Sequence, residues 1–210
     1  MSAYLDAFCN ADLEAMVSTF AIESFVKNYN FEAELEWYKM YSPIIEQDFP
    51  SNNVFTEQLN IQQRHTYVVR DIKRQFMALF VPDSASLLTE NRKVKDAREI
   101  EQLAMSLSNR AQLDSMRAMK LIGFIPPDEL DEQYNSEHNR QVIERKMGIF
   151  GAQGLDSVVA RVEINRNKCL FCFDAVRYND KWYIHSIGGN ISVLTIIPYT
   201  DGGVILESDR

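Results

Sequence analysis

Cysteine and positive charge are both scarce in this sequence. Its 210 residues include only Cys9, Cys169 and Cys172, an odd number too small for a disulfide scaffold, so reduced thiols are expected. Against 30 Asp and Glu stand 22 Lys and Arg, for a formal charge of -8. That balance argues against nucleic acid and membrane surfaces as partners, because both are polyanions that demand clustered cations. The densest basic group, Arg70, Lys73 and Arg74, is interrupted by Asp71 and reads as a solvated helix face. No apolar run approaches the roughly 20 residues needed to span a bilayer, and no charged-then-apolar leader opens the chain. A cytoplasmic location is the resulting expectation.

Chemical motifs are missing as well. There is no P-loop, no H-E-x-x-H and no G-x-S-x-G elbow. The glycines of "GIFGAQG" recur at equal three-residue steps and follow no predicted strand, so they are not a dinucleotide fingerprint. His65 and His138 stand alone in helical context. Neither a metal nor a cofactor is expected, and no internal repeat or low-complexity segment occurs.

What is present is apolar periodicity. With 46% hydrophobic and 25% charged residues, the chain is long enough for one full core, and a single domain over 1–210 is the expectation. In its first segment Leu5, Phe8 and Cys9, then Leu13, Met16, Val17 and Phe20, recur at helical spacing. Asn10 marks a bend between two short helices. Asn30 is placed to cap a third, which Pro43 ends. A long helix carries Val69, Ile72, Phe76, Leu79 and Phe80 on one stripe and stops at Pro82. Another runs through Ile100, Leu103, Leu107, Met116 and Met119 to Gly123, with its methionines as core filling. After the acidic connector "DELDEQYNSEH", a shorter helix ends near Gly148. The helical part thus covers about 2–148.

Past residue 156 the period becomes two. Asn179-Asp180 suits a two-residue hairpin turn, which sets Tyr178 opposite Lys181, Arg177 opposite Trp182, Ala175 opposite Ile184 and Asp174 opposite His185. A turn at Arg166-Asn167 pairs Ile164 with Cys169, Val162 with Phe171, Ala160 with Phe173 and Val158 with Ala175. One face then collects the apolar residues and becomes the core side. The other collects Arg161, Glu163, Cys172, Asp174, Tyr183 and His185, with Ile187 beside them, and is read as polar. Trp182, on the apolar face, is expected to be largely buried against a helix. "SVLTIIPYT", with Pro198 near an edge, and "GGVILES" extend the sheet to about 207. Cys169 and Cys172 are an odd number of positions apart, so they point to opposite faces and cannot share a metal or form a dithiol. The expected fold class is α+β: a helical N-terminal two-thirds packed on a curved C-terminal antiparallel sheet.

The Asp174–His185 pair has two readings. Either it is a cross-strand pair on a surface or at a two-fold interface, or it is a catalytic dyad, and in both the carboxylate would raise the imidazole pKa. The first reading is preferred, with homodimers formed through the polar face.

The segments "YLDAFCNADLEAMVSTFA" and "FCFDAVRYNDKWYIHSI" resemble the NTF2-like superfamily, which includes SnoaL-type and ketosteroid-isomerase-type proteins. The likeness covers some forty residues at the two ends and implies a sheet wrapped around helices as a cone. It leaves a helical middle unaccounted for, and no family catalytic residue transfers. The leading expectation is a non-enzymatic module that binds a small molecule or a protein partner. One alternative is a small lyase or isomerase with an apolar pocket near Phe171, Phe173, Trp182 and Ser186; another is a structural or assembly protein.

Overall fold

The computed structural model describes residues 1–41, 50–80, 113–164, 166–188 and 204–206. Its centre is a hairpin of two long strands, rich in β-branched and aromatic residues as strands require. Here β2 (Gly154–Ile164) and β3 (Asn167–Tyr178) stay paired from Gly154↔Arg177 to Ile164↔Asn167. β4 (Lys181–Ile187) returns along β3 through Asn179-Asp180, whose φ values of 50° and 60° match the expected turn. β1 (Lys120–Ile125) pairs with the other side of β2, and β5 (Val204–Leu206) pairs with Cys169–Phe171 of β3, beyond the stretch β4 occupies. All pairings are antiparallel, in the order β1-β2-β3-β4 with β5 also on β3.

Three expected pairs form: Tyr178↔Lys181, Arg177↔Trp182 and Ala175↔Ile184. The preceding hairpin closes earlier than expected, with Arg166 at φ 69°, so the partners shift by two: Ile164↔Asn167, Val162↔Cys169, Ala160↔Phe171 and Val158↔Phe173. A slip of two preserves the facing of every side chain. Cys169 and Cys172 accordingly enter separate clusters on opposite faces.

Helices cover the first face. α1 (Ser2–Cys9) and α2 (Leu13–Ser18) meet at the expected bend, where Ala11 takes φ 55° and the Asp12 carboxylate accepts a bond from the Ala15 N–H at 2.9 Å. Tyr4, Phe8, Met16 and Phe20 pack on Ala160, Val162, Phe171 and Phe173. Met116 of α6 (Leu113–Arg117) and the following Met119 join them, as core filling. α5 (Val54–Phe80) contributes Val68, Ile72 and Phe80 to this core. Its exposed side carries Arg70, Lys73 and Arg74, with Asp71 paired to both arginines.

The second face is covered too, which corrects the polar-face expectation. Phe25 and Val26 of α3 (Ile22–Asn28) and Ile149 and Phe150 of α7 (Glu137–Phe150) bury Leu155, Val176 and Tyr178. Ile125, Leu130 and Tyr134, around a 3-10 turn at Pro127–Glu129, bury Val159, Leu170 and Cys172. Ile61 of α5 packs on the α3–α7 cluster, so this one helix serves both cores. The edge of β4 is closed locally: Ile184 N–H donates to the Thr19 carbonyl at 3.0 Å, and Ala21 N–H to the Ile184 carbonyl at 3.1 Å.

Two helical expectations need correction. "KLIGFI", read as the end of a helix, is strand β1, because a short apolar run has no decisive period and its backbone finds a partner in β2. The last helix ends near Gly148, as expected, but the residue that caps it needs correction: the helix runs on to Phe150, and Gly151, with a left-handed φ of 58°, supplies the cap. α4 (Phe31–Tyr41) starts where Asn30 accepts from the Ala33 N–H at 3.0 Å. The stops at Pro43 and Pro82, the residues Ile100, Leu103 and Leu107, and the strand containing Pro198 lie outside the described residues.

These two glycines make a paired test. Nothing lies within 4 Å of a Cβ placed on Gly148, so Gly148→Ala is expected to stabilise by about 0.5–1 kcal/mol. A Cβ on Gly151 would sit 2.1 Å from the Asn28 carbonyl oxygen, so Gly151→Ala should cost more than about 2 kcal/mol. Urea denaturation reads both, and losses of similar size would contradict the helix end at Gly151.

Candidate functional site

Asp174 and His185 are not cross-strand partners. The register breaks between Asp174 and Ala175, and Asp174 opposes Ser186. The extra residue in β4 is His185, which makes a β-bulge. Asp174 is completely buried, and both carboxylate oxygens accept hydroxyl bonds: Ser157 Oγ donates to Oδ1 at 3.1 Å and Ser186 Oγ to Oδ2 at 2.7 Å. Ser157, Asp174 and Ser186 are register partners, so they form one polar row across three strands. The bulge also reverses the phase of β4, and Ile187, expected on the polar face, enters the first-face core.

His185 lies under aromatic rings, 4.6 Å from Phe150 and 4.9 Å from Phe25 between centroids. Arg64 of α5 crosses Phe25 at 4.6 Å and donates from Nη2 to the His185 carbonyl at 2.7 Å. The same Nη2 is 3.2 Å from Nδ1 and 3.3 Å from Nε2. A neutral imidazole has one acceptor nitrogen, so at most one of these ring contacts is a hydrogen bond. The expected rise in the His185 pKa is reversed. Burial, reinforced by the Arg64 and Lys146 cations, holds it well below the ordinary imidazole value.

Phe171 and Phe173 are fully buried core residues, and Ser186 is committed to Asp174. None of the three lines a cavity described here. Of the four residues expected at a pocket, only Trp182 does so. The hollow it lines, of about 550 Å³, lies on the first face at the hairpin end, where α1 and α2 leave the sheet uncovered. Its floor is Val158, Ala175 and Ile184, with Met1 and Ala3 opposite. Trp182 is 48% exposed, which corrects its expected burial. It takes the predicted face, but its row holds only Gly154 and Arg177. With no side chain on Gly154, the indole extends across the strands to within 3.0 Å of where a Cβ would stand.

The sequence reading missed the polar groups of this hollow. They are Asp156, Lys181, Ser18 and Thr19. Asp156 Oδ1 accepts from the Tyr134 hydroxyl at 2.5 Å and from the Ser157 N–H at 2.8 Å. Tyr134 also accepts from the Ser157 N–H at 2.9 Å, and burial raises its pKa, as does its bond to Asp156. Lys181 Nζ stands 5.0 Å over Tyr183. Alternation placed Asp156 in phase with Val158 on the first face, which was the available signal. Among the described residues, no group of three His, Cys, Asp or Glu residues is arranged to hold a metal ion, and no helix is long and apolar enough to cross a membrane.

No family model and no curated protein matches this chain. It is similar in structure to a crystal structure of a cystatin-like protein from Ruminococcus gnavus ATCC 29149, with a TM-score of 0.61 and 16% identity. The match covers 99% of this chain and 43% of that one. At this identity the likeness concerns the fold alone. It overturns the resemblance to the NTF2-like superfamily: a bent helix pair and a closing hairpin are features that any helices packed on an antiparallel sheet can share, and here the fold is that of a cystatin-like protein.

The His185 environment predicts a pH dependence. Because its folded pKa lies below the unfolded value of ~6.5, the unfolded chain takes up the proton first, and stability falls as pH drops below that value. Urea denaturation at pH 7.5 and pH 5.5 should show a smaller acid loss for His185→Gln than for the parent. An unchanged acid loss would show that His185 is not its source.

Proposed function

We propose that the protein is a binding module that takes a small molecule into the hollow beside Trp182. One observation carries this reading: a half-exposed indole borders a concave site of about 550 Å³, a size typical of small-ligand pockets. The polar groups favour binding over catalysis. Ser18 Oγ donates to the Ala15 carbonyl and Thr19 Oγ1 to the Met16 carbonyl, each at 2.7 Å, so neither hydroxyl is activated by a base. Asp174, the buried acid, sits on the opposite face from the hollow.

A thermal-shift screen of a metabolite library tests this. A compound present at 100 times its Kd should stabilise the parent by about 2.7 kcal/mol and lose that effect in Trp182→Ala. Undiminished stabilisation of the variant by every hit would contradict the site.

A second reading concerns partners. Leu121, Ile122 and Phe124 of β1 are each at least 40% exposed, and among the described residues no strand pairs with the outer edge of β1. Such an edge favours strand addition, including self-association. This replaces the dimer expected through the second face, which the helices cover. Sedimentation should give a dimer for the parent and a monomer for Phe124→Lys; a monomeric parent at high micromolar concentration would reject it.

A further inference from the structure

We infer that the hollow takes a neutral, polyhydroxylated ring, the chemistry of an uncharged sugar; this rests on the hollow being a binding site. The first argument is charge. Asp156 and Lys181 supply one carboxylate and one ammonium, and neither makes an ion pair among the described residues. A cationic ligand drawn to Asp156 would meet Lys181 and the neighbouring Arg177, whereas an anion drawn to Lys181 would meet Asp156. A neutral ligand satisfies both groups without bringing a like charge into the site, provided that it both donates and accepts hydrogen bonds.

Hydroxyl groups do both. Asp156 is held in place through Oδ1 by Tyr134 and Ser157, which leaves Oδ2 to accept from a ligand hydroxyl. Lys181 has three donors, and the Ser18 and Thr19 oxygens, already donating to helix carbonyls, retain lone pairs that accept. A ligand hydroxyl can therefore donate at three sites and accept at one.

The indole supplies the apolar half of the match. Arg177 stands 5.7 Å from the ring centroid, and Gly154 allows the close approach of the ring's edge. This fixes a half-exposed aromatic surface against which the C–H face of a pyranose can stack. Two features of β2 two positions apart, the missing side chain at Gly154 and the anchored carboxylate of Asp156, place platform and acceptor on the same face of the strand. A purely apolar ligand would offer no partner to Asp156 Oδ2 or to the Lys181 ammonium.

Two-dimensional NMR of the full chain tests the inference through the Trp182 indole N–H and the Asp156 and Lys181 amides. The probes are glucose, galactose and their neutral disaccharides, then glucuronate, glucosamine and benzyl alcohol. A neutral saccharide is expected to shift these signals saturably, at least about tenfold more tightly than either charged sugar. Asp156→Asn and Trp182→Ala should each weaken that binding by about tenfold or more, with the remaining amide spectrum unchanged. Equal or tighter binding of glucuronate or glucosamine would overturn the neutral-sugar assignment. If only benzyl alcohol shifts these signals, the assignment fails while the hollow remains a binding site. If no probe does so, and the library screen yields no Trp182-dependent ligand, both readings fall.

Discussion

Burial of β3 on both faces is the constraint around which the rest of the structure is arranged. Every residue from Cys169 to Val176 is buried, so the strand cannot leave either side to water. Phe171 and Phe173 require α1, α2 and α5, while Leu170, Cys172 and Val176 require α3, α7 and the turn after β1. A 27-residue helix, α5, is long enough to supply side chains to both cores; at about 1.5 Å per residue it spans roughly 40 Å. Two-sided burial also explains the hollow. On the first face, cover is incomplete at the row Gly154, Arg177 and Trp182, and the surface there keeps both an indole and polar groups.

Burying the second face creates a polar problem that the β4 bulge resolves. Asp174 brings a carboxyl group between apolar clusters, and the Ser157 and Ser186 hydroxyls each donate to one of its oxygens. An unbulged β4 would have put an imidazole opposite the carboxylate. By inserting His185, the chain moves Ser186 into that place, turns Ile187 toward Phe173, and leaves a carbonyl that Arg64 fills. One extra residue thus links the acid row, the first-face core and α5.

Much of this was legible in the sequence, for physical reasons that differ from element to element. Asn179-Asp180 fixed the β3–β4 turn because few residue pairs accept two positive φ angles, and the Asn10 bend was visible from the apolar spacing on either side of it, whereas the Asp12 cap emerged only in the structure. Faces survived a wrong register in β2–β3 because a slip of two is silent in a period-two pattern. Other features had no local signature. The bulge at His185 depends on Arg64 and Ser157, 121 and 28 positions away. Strand β1 looked helical because "KLIGFI" is too short to show a period. Cys172, Asp174 and His185 seemed to define a wet face because polarity was equated with exposure, whereas here long-range packing buries all three. At the hollow, Trp182 is the expected pocket residue that lines it, though exposed rather than buried; Asp156 and Lys181 were missed because neither sits in a motif.

Thiol labelling tests the two-sided sheet directly, because the three cysteines sample its environments. Cys9 is partly exposed, Cys169 is buried in the first-face core, and Cys172 is fully buried on the second face, with its pKa pushed up to about 12 by burial and by Asp174. Iodoacetamide at pH 8, with modified sites located by peptide mass, should alkylate Cys9 in the native protein. Cys169 and Cys172 should react only when urea unfolds the chain. Native alkylation of Cys172 at a rate comparable to that of Cys9 would mean that the second face is open to solvent and would contradict the account.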